Sequence, residues 1–174
     1  MSMVGKKAPE WSSTAYCNGE KKTIGSQDYI GQWHVIYWYP FDFTSVCLTE
    51  VQGFQDLQDE FHNEGVAVIG ASTGSFFAHK NWFEDGETFK GDISHPVIAD
   101  TNHQITKAFD VFHEGLGVGY RATVIVDPQG VIRSQTVNDL SVGRSPAEIL
   151  RTVQGFISGG ACAANWSKGD EFVS

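Results

Sequence analysis

The stretch WHVIYWYPFDFTSVCLTEVQGFQDLQDEFHNEGVAVIGAS, residues 33–72, decides how the chain folds. It opens with an aromatic and β-branched run that ends at Pro40, which is typical of a buried strand. Apolar residues then recur with helical spacing from Val51 to Phe61, and Gly65 ends the pattern. The apolar run VAVIGAS follows, so the stretch predicts a right-handed strand–helix–strand unit with parallel strands.

The flanking sequence extends this unit into a mixed sheet. Upstream, STAYCNGEKKTIG places an Asn18-Gly19 turn between two short runs and predicts a hairpin. Downstream, SFFAHKNWFED and NHQITKAFDV are typical of helices, and HPVIAD is typical of a short strand. ATVIVDPQGVIRSQTV predicts a second hairpin, and SPAEILRTVQGFIS a last helix with Ser145 as its N-cap. This order predicts an α/β domain with a thioredoxin-like fold, a mixed central sheet flanked by helices.

The domain organisation follows from length and composition. The chain has 174 residues, of which 41% are hydrophobic, so it can bury one core but has no room for a second large domain. We expect the thioredoxin-like domain, with its N-terminal hairpin, over residues 1–160 and a C-terminal extension over residues 161–174. The extension is dominated by glycine, alanine and polar residues, which favours a loosely held segment.

Charge and hydropathy exclude several classes of protein. The formal net charge of −9 repels phosphate backbones and acidic membranes, so nucleic acid is not an expected partner. No apolar run approaches the roughly 18 residues of a membrane helix. The N-terminal sequence also lacks the apolar middle of a signal peptide, so we expect a soluble, cytoplasmic protein that does not bind membranes.

The cysteines and histidines restrict the possible chemistry. Cys17, Cys47 and Cys162 are too few and too far apart for a disulfide-stapled scaffold, so each is a small buried hydrophobe or a working thiol. The six histidines occur singly, at surface or packing positions by expectation, without paired cysteines beside them. We therefore expect no metal and no other cofactor.

Cys47 is the cysteine with the most informative position. It falls in the first turn of the predicted helix, where unpaired backbone N–H groups and the helix dipole favour the nucleophilic thiolate. No lysine or arginine is close to it in sequence. Arg121 begins a later predicted strand and is the best candidate for a cation that the fold brings to the thiol.

Two neighbours of Cys47 allow more than one interpretation. The Thr44 hydroxyl can donate to the thiolate or to a bound substrate, and Glu50 can orient an arginine. Equally, Thr44 can be an N-cap, Glu50 a favourable first-turn carboxylate and Arg121 a solvated strand residue. Spacing alone favours these structural interpretations for each residue taken separately.

Three separated motifs together resemble those of one family. YPFDFTSVCLTE resembles the active-site motif of the peroxiredoxins, and GYRATVIVDPQGVI resembles their arginine-bearing strand. GGACAANWSKG resembles the C-terminal segment with the family's second cysteine. The resemblance covers nearly the whole chain and is closest to the typical two-cysteine branch that includes the peroxidase component of bacterial alkyl hydroperoxide reductase. Leu48 and Ala163 depart from it, because proline commonly follows each cysteine in the family.

The resemblance implies a thiol-dependent peroxidase for hydrogen peroxide and organic hydroperoxides, with an antioxidant role. Cys47 would be the peroxidatic cysteine, which attacks the hydroperoxide and becomes a sulfenic acid. Thr44 and Arg121 would hold the thiolate and the peroxide oxygens. Pro40 would shield the site from water, and Glu50 would position the arginine.

The resemblance also implies partners. Cys162 would be the resolving cysteine, forming an intersubunit disulfide with Cys47 of a partner subunit. Thioredoxin or a flavoprotein disulfide reductase would then reduce that disulfide, and homodimers would assemble into a decamer. Cys162 can also be a small buried hydrophobe, and Cys17, which matches no family motif, is interpreted as structural.

Two other functions compete with this one. A thiol-disulfide oxidoreductase of thioredoxin type is disfavoured, because Cys47 has no second cysteine two or three residues away. An oligomeric holdase chaperone or a peroxide sensor, switched by oxidation of Cys47, stays open as an additional role.

Overall fold

A central sheet of seven strands organises the chain, and a computed structural model describes residues 1–173 of it. In chain order its elements are β1 (Ser12–Cys17), β2 (Glu20–Gly25), a 3-10 helix (Ser26–Tyr29), β3 (Trp33–Trp38), α1 (Ser45–Asp56), α2 (Gln58–Asn63), β4 (Val66–Ser72), α3 (Phe76–Phe83), β5 (Val97–Ala99), α4 (Gln104–Ala108), β6 (Phe112–His113), β7 (Val118–Gly119), β8 (Arg121–Val126), β9 (Ile132–Asn138) and α5 (Pro146–Ser158). The sheet has the order β2-β1-β5-β4-β3-β8-β9, and β6 and β7 form a separate small hairpin.

The predicted mixed sheet is confirmed. Its centre is parallel, because β3 pairs with β4 and β4 with β5 in the same direction. The two predicted hairpins, β1–β2 and β8–β9, flank this centre and are joined to it by antiparallel pairs. This is the thioredoxin-like arrangement that the order of elements predicts.

Alternation along β3 divides the interior into two apolar layers. Successive side chains of a strand point to opposite faces of the sheet. Val35 and Tyr37 therefore pack in the layer that contains the apolar faces of α1 and α5. Ile36 and Trp38 pack in the opposite layer with Phe109, which follows α4.

The helix predicted from Val51 to Phe61 is two helices, which corrects the expectation of a continuous one. Leu57, with φ −101° and ψ 10°, separates α1 from α2. The Gln58 side-chain amide donates to the Phe54 carbonyl at 3.0 Å, which satisfies a backbone acceptor at the break. Phe54 and Phe61 stay fully buried on one side of this bend. No helix among residues 1–173 combines the length and apolar character needed to cross a bilayer.

The C-terminal extension folds back onto α5 through one buried side chain, while most of residues 161–173 are exposed, so its loose attachment stays a prediction. Trp166 is 4% exposed, and its indole Nε1 donates to the Asp170 carbonyl at 3.1 Å. Arg151 on α5 donates to the Trp166 carbonyl at 2.9 Å, and Lys168 forms an ion pair with Glu64. One buried aromatic side chain anchors a segment whose composition otherwise indicates a loop. Ser174, the last residue of the predicted extension, lies outside the described residues.

His95 is buried in the layer below β3 as a neutral side chain. The Tyr37 hydroxyl lies 2.7 Å from His95 Nε2, and the side-chain Oε1 of Gln55 lies 2.8 Å from Nδ1. Nδ1–H can therefore donate while Nε2 accepts, as a neutral imidazole requires. Burial lowers the pKa of His95 from 6.5 to about 3.

Replacing His95 should remove part of the acid sensitivity of folding. Below pH 6.5 His95 binds a proton in the unfolded chain, whereas in the folded protein it stays neutral down to about pH 3. The free energy of unfolding therefore decreases as the pH falls from 6.5 to about 3. We expect wild type to lose about 2–3 kcal/mol more than His95→Gln between about pH 7 and pH 4.5. Urea unfolding at both pH values measures this difference, and equal losses in the two proteins would contradict it.

Removing the aromatic anchor should release the C-terminal extension. Trp166→Ala is expected to speed tryptic cleavage after Lys168 by at least about tenfold, since truncating a buried tryptophan costs roughly 3–5 kcal/mol. Mass spectrometry of a digestion time course measures the rate. Phe77→Ala, which truncates an aromatic side chain that is 65% exposed, should leave it unchanged.

Candidate active site

Cys47 lies at the start of α1 and is fully buried. Pro40 is buried at the beginning of the loop that leads from β3 to this helix. Thr44 occupies the N-cap position with extended backbone angles, but its hydroxyl donates to the Phe41 carbonyl at 2.8 Å and caps no helical N–H. The Leu48 N–H donates to the Thr44 carbonyl at 3.0 Å and closes the first turn around the thiol.

Strand pairing brings Arg121 to this turn. Tyr37 pairs with Thr123, so β8 begins beside the end of β3, where α1 also starts. Nη1 of Arg121 lies 3.4 Å from the Cys47 sulfur and 2.7 Å from Glu50 Oε2. Burial opposes the charge on Arg121, but the hydrogen bonds and charges of Cys47 and Glu50 raise its pKa. The fold thus supplies the cation that the local sequence lacks.

Glu50 is a buried carboxylate shared by two guanidinium groups. It is 1% exposed, and beside Arg121 it contacts Arg144, which the sequence interpretation missed. Nε and Nη2 of Arg144 donate to Oε1 and Oε2 at 2.9 Å each, and the Arg144 backbone N–H donates to Oε1 at 2.9 Å. This bidentate geometry gives the strongest ion pairs and fixes both partners.

Arg144 also ties the cluster to the sheet. Its guanidinium donates to the backbone carbonyls of Trp38 on β3 and Ala122 on β8. Its Cζ lies 5.4 Å from the centre of the Tyr37 ring, within range of a cation–π interaction. Arg144 directly precedes the N-cap of α5, a position where the helix dipole disfavours a cation. This unfavourable position was the one sequence signal that Arg144 has a carboxylate partner.

The charges of this cluster are not balanced without the thiol. Arg121, Arg144 and Glu50 carry a net charge of +1, and all three side chains are at most 5% exposed. A thiolate on Cys47 makes the group of four electrically neutral. A buried, compensated anion beside a hydrogen-bond donor is the arrangement that a cysteine nucleophile requires.

The other two cysteines lie on other elements. Cys162 is half-buried in the C-terminal extension, with its sulfur 3.6 Å from the Ser158 hydroxyl and 3.8 Å from the Gly155 carbonyl. Cys17 ends β1, where burial raises its pKa despite the nearby Lys22. All three thiols are free, so the disulfide predicted for Cys162 stays a prediction.

A buried thiol at a helix start beside an arginine, in a thioredoxin-like fold, is typical of enzymes that use a cysteine nucleophile. Comparisons with known proteins identify the family. The sequence profile described as the AhpC/TSA family matches residues 4–135. The chain therefore belongs to the AhpC/TSA family. The predicted membership of the peroxiredoxins, with thiol-dependent peroxidase activity, is confirmed.

Individual relatives agree with this assignment over nearly the full chain. The chain is 43% identical to peroxiredoxin 1 of Brugia malayi over 168 residues, an alignment that covers 92% of this chain and 73% of the relative. It is 39% identical to the thioredoxin peroxidase of Echinococcus granulosus over 176 residues, which are 98% of this chain and 91% of the relative. The structure of reduced 2-Cys peroxiredoxin of Plasmodium vivax superposes with a TM-score of 0.93 at 31% identity, and the match covers 99% of this chain and 93% of that one.

Removing Arg144 should damage both stability and the site. Arg144→Met leaves two backbone carbonyls and one side of Glu50 without their donors, so we expect a loss of about 3 kcal/mol or more in the free energy of unfolding. Urea unfolding measures it. Arg133→Met, which removes a 46% exposed arginine from its ion pair with Asp127, should cost no more than about 1 kcal/mol. Equal losses for the two variants would contradict the central role of Arg144.

Proposed function

We propose that Cys47 is the peroxidatic cysteine of this thiol-dependent peroxidase. The observation that carries the proposal is the 3.4 Å contact between its sulfur and the Arg121 guanidinium. The thiolate attacks the terminal oxygen of a hydroperoxide, forming the S–O bond as the O–O bond breaks. The leaving alkoxide or hydroxide takes up a proton, so the peroxide is reduced to an alcohol or water and the thiol is oxidised to a sulfenic acid.

The surrounding residues have separate tasks in this step. Arg121 donates to the sulfur and to the oxygens on which negative charge develops. Glu50 keeps Arg121 at its position, and the buried Pro40 helps to exclude water. Thr44 has one hydroxyl proton, which Phe41 accepts before substrate arrives, so binding a peroxide oxygen through this hydroxyl requires it to rotate.

We infer that Cys162 of a second subunit resolves the sulfenic acid. Its thiolate attacks the oxidised sulfur, the hydroxyl leaves as water, and an intersubunit disulfide forms. Because Cys47 is fully buried and Cys162 is half-buried, the first turn of α1 and the C-terminal extension both have to open. An external dithiol then reduces the disulfide, and the similarity to a thioredoxin peroxidase favours thioredoxin over a flavoprotein reductase as the donor.

We further propose a homodimer that assembles into a decamer in the cytoplasm. β9 is an edge strand of the sheet, with Val137 48% exposed, and an edge of this kind can pair with its own copy about a two-fold axis. Phe41 and Phe43, in the loop before α1, are 43% and 61% exposed, and these apolar side chains support a further contact between dimers. Three free thiols are consistent with a reducing compartment.

Non-reducing electrophoresis after one equivalent of peroxide tests the two cysteine assignments. Wild type should form a disulfide-linked dimer, and neither Cys47→Ser nor Cys162→Ser should do so. Cys162→Ser should still consume about one equivalent of peroxide, because the first step needs only Cys47.

Cys17→Ser is the matched control and should behave as wild type. A dimer in Cys47→Ser would show that another thiol is oxidised first. Turnover of Cys162→Ser at the wild-type rate with thioredoxin would contradict its resolving role.

A further inference from the structure

A buried hydrogen-bond network outside the arginine cluster holds the loop that leads to Cys47. Asp42 lies in this loop, and its Oδ2 is 2.7 Å from Nδ1 of His79 on α3. The Tyr39 hydroxyl donates to Asp42 Oδ1 at 2.7 Å. His79 is 0% exposed and Asp42 5%, so the pair is shielded from water.

Both ring nitrogens of His79 face oxygen atoms. Nδ1 faces the Asp42 carboxylate, and Nε2 faces the Ile98 carbonyl at 3.0 Å. The Tyr39 hydroxyl also lies 3.4 Å from Nδ1, but its proton is directed to the closer Asp42. With the Asp42 carboxylate as acceptor, Nδ1–H of His79 donates to Oδ2, so His79 and Asp42 form a buried hydrogen-bonded pair.

The loop held by this hydrogen-bonded pair contains a strained residue. Phe43, directly after Asp42, has φ +60°, a left-handed backbone conformation that is uncommon for a bulky side chain. Phe43 is also 61% exposed, so its own packing does little to hold it there. Such a conformation persists where the surroundings fix it. The Asp42–His79 pair is the buried anchor on one side of Phe43, and Thr44 with the start of α1 lies on the other.

We propose that His79 is a positioning residue for peroxide reduction, acting through Asp42 on the loop that sets Thr44 and Cys47. The proposal rests on the proposed role of Cys47. The hydrogen-bonded pair fixes the chain up to Asp42 and opposes relaxation of Phe43, so the first turn of α1 starts where Arg121 meets the sulfur. Forming the disulfide requires this turn to open, so weakening the pair should slow attack on peroxide without slowing resolution.

Stopped-flow tryptophan fluorescence of the reduced protein mixed with hydrogen peroxide separates the two steps. Trp82 reports on the site, since its ring lies 5.9 Å from Tyr39 and 6.0 Å from Phe43. His79→Gln should lower the rate constant for peroxide attack roughly 10- to 100-fold, because small displacements of reacting groups have effects of this size. The slower disulfide phase should be unchanged or faster.

Conservative variants distinguish positioning from a general structural role. His79→Asn keeps an N–H near the place of Nδ1 and should recover most of the rate of peroxide attack, and Asp42→Ala, which removes the acceptor, should reproduce the defect of His79→Gln. His34→Gln removes a buried histidine at the opposite end of β3 and should lower stability without changing the rate of peroxide attack. Folded His79→Gln with a wild-type rate, or no rescue by His79→Asn, would overturn the proposal.

A direct measurement covers the case in which His79→Gln does not fold. In histidine-labelled wild type, the ¹⁵N resonance of His79 Nδ1 should be that of a protonated nitrogen that donates to a carboxylate, and an unprotonated Nδ1 would overturn the assignment. Failure of the proposed function is distinguishable, because Cys47→Ser would then keep the peroxide-dependent fluorescence phase that it is expected to lose.

Discussion

The Glu50 carboxylate is the constraint on which the rest of the site depends. It accepts four hydrogen bonds from Arg121 and Arg144, and a buried carboxylate is stable only when its oxygens are satisfied in this way. The requirement fixes three parts of the chain relative to one another, namely the start of α1, the start of β8 and the turn before α5. The arginine that contacts the sulfur is therefore held by the tertiary structure rather than by its own strand.

Much of the fold could be predicted because its signals are local. The apolar run from Trp33 to Trp38 and the helical spacing after Cys47 report burial directly, and each appears in the structure as a strand or helix. Arg121 and Glu50 were found as candidates because one begins a predicted strand and the other lies one turn after the thiol. Arg144 was missed because it is 94 residues from Glu50, and its role depends on a contact that no local pattern encodes.

Three further features have physical causes that composition does not carry. The bend at Leu57 depends on a side-chain amide that satisfies a carbonyl at the break, a contact invisible to hydrophobic periodicity. The C-terminal extension is held by Trp166, one large side chain among small and polar ones, so an average over the segment hides it. Thr44 likewise has the backbone of an N-cap but directs its hydroxyl elsewhere.

The identity of residue 48 has a consequence for observing the site. Leu48 carries the amide proton that binds the Thr44 carbonyl, whereas proline at this position would have none. Solvent can replace this proton only when the reactive turn is open. The Leu48 amide proton thus lies one residue from the reactive cysteine, and its rate of exchange with deuterium measures how often the first turn opens and brings Cys47 to the surface.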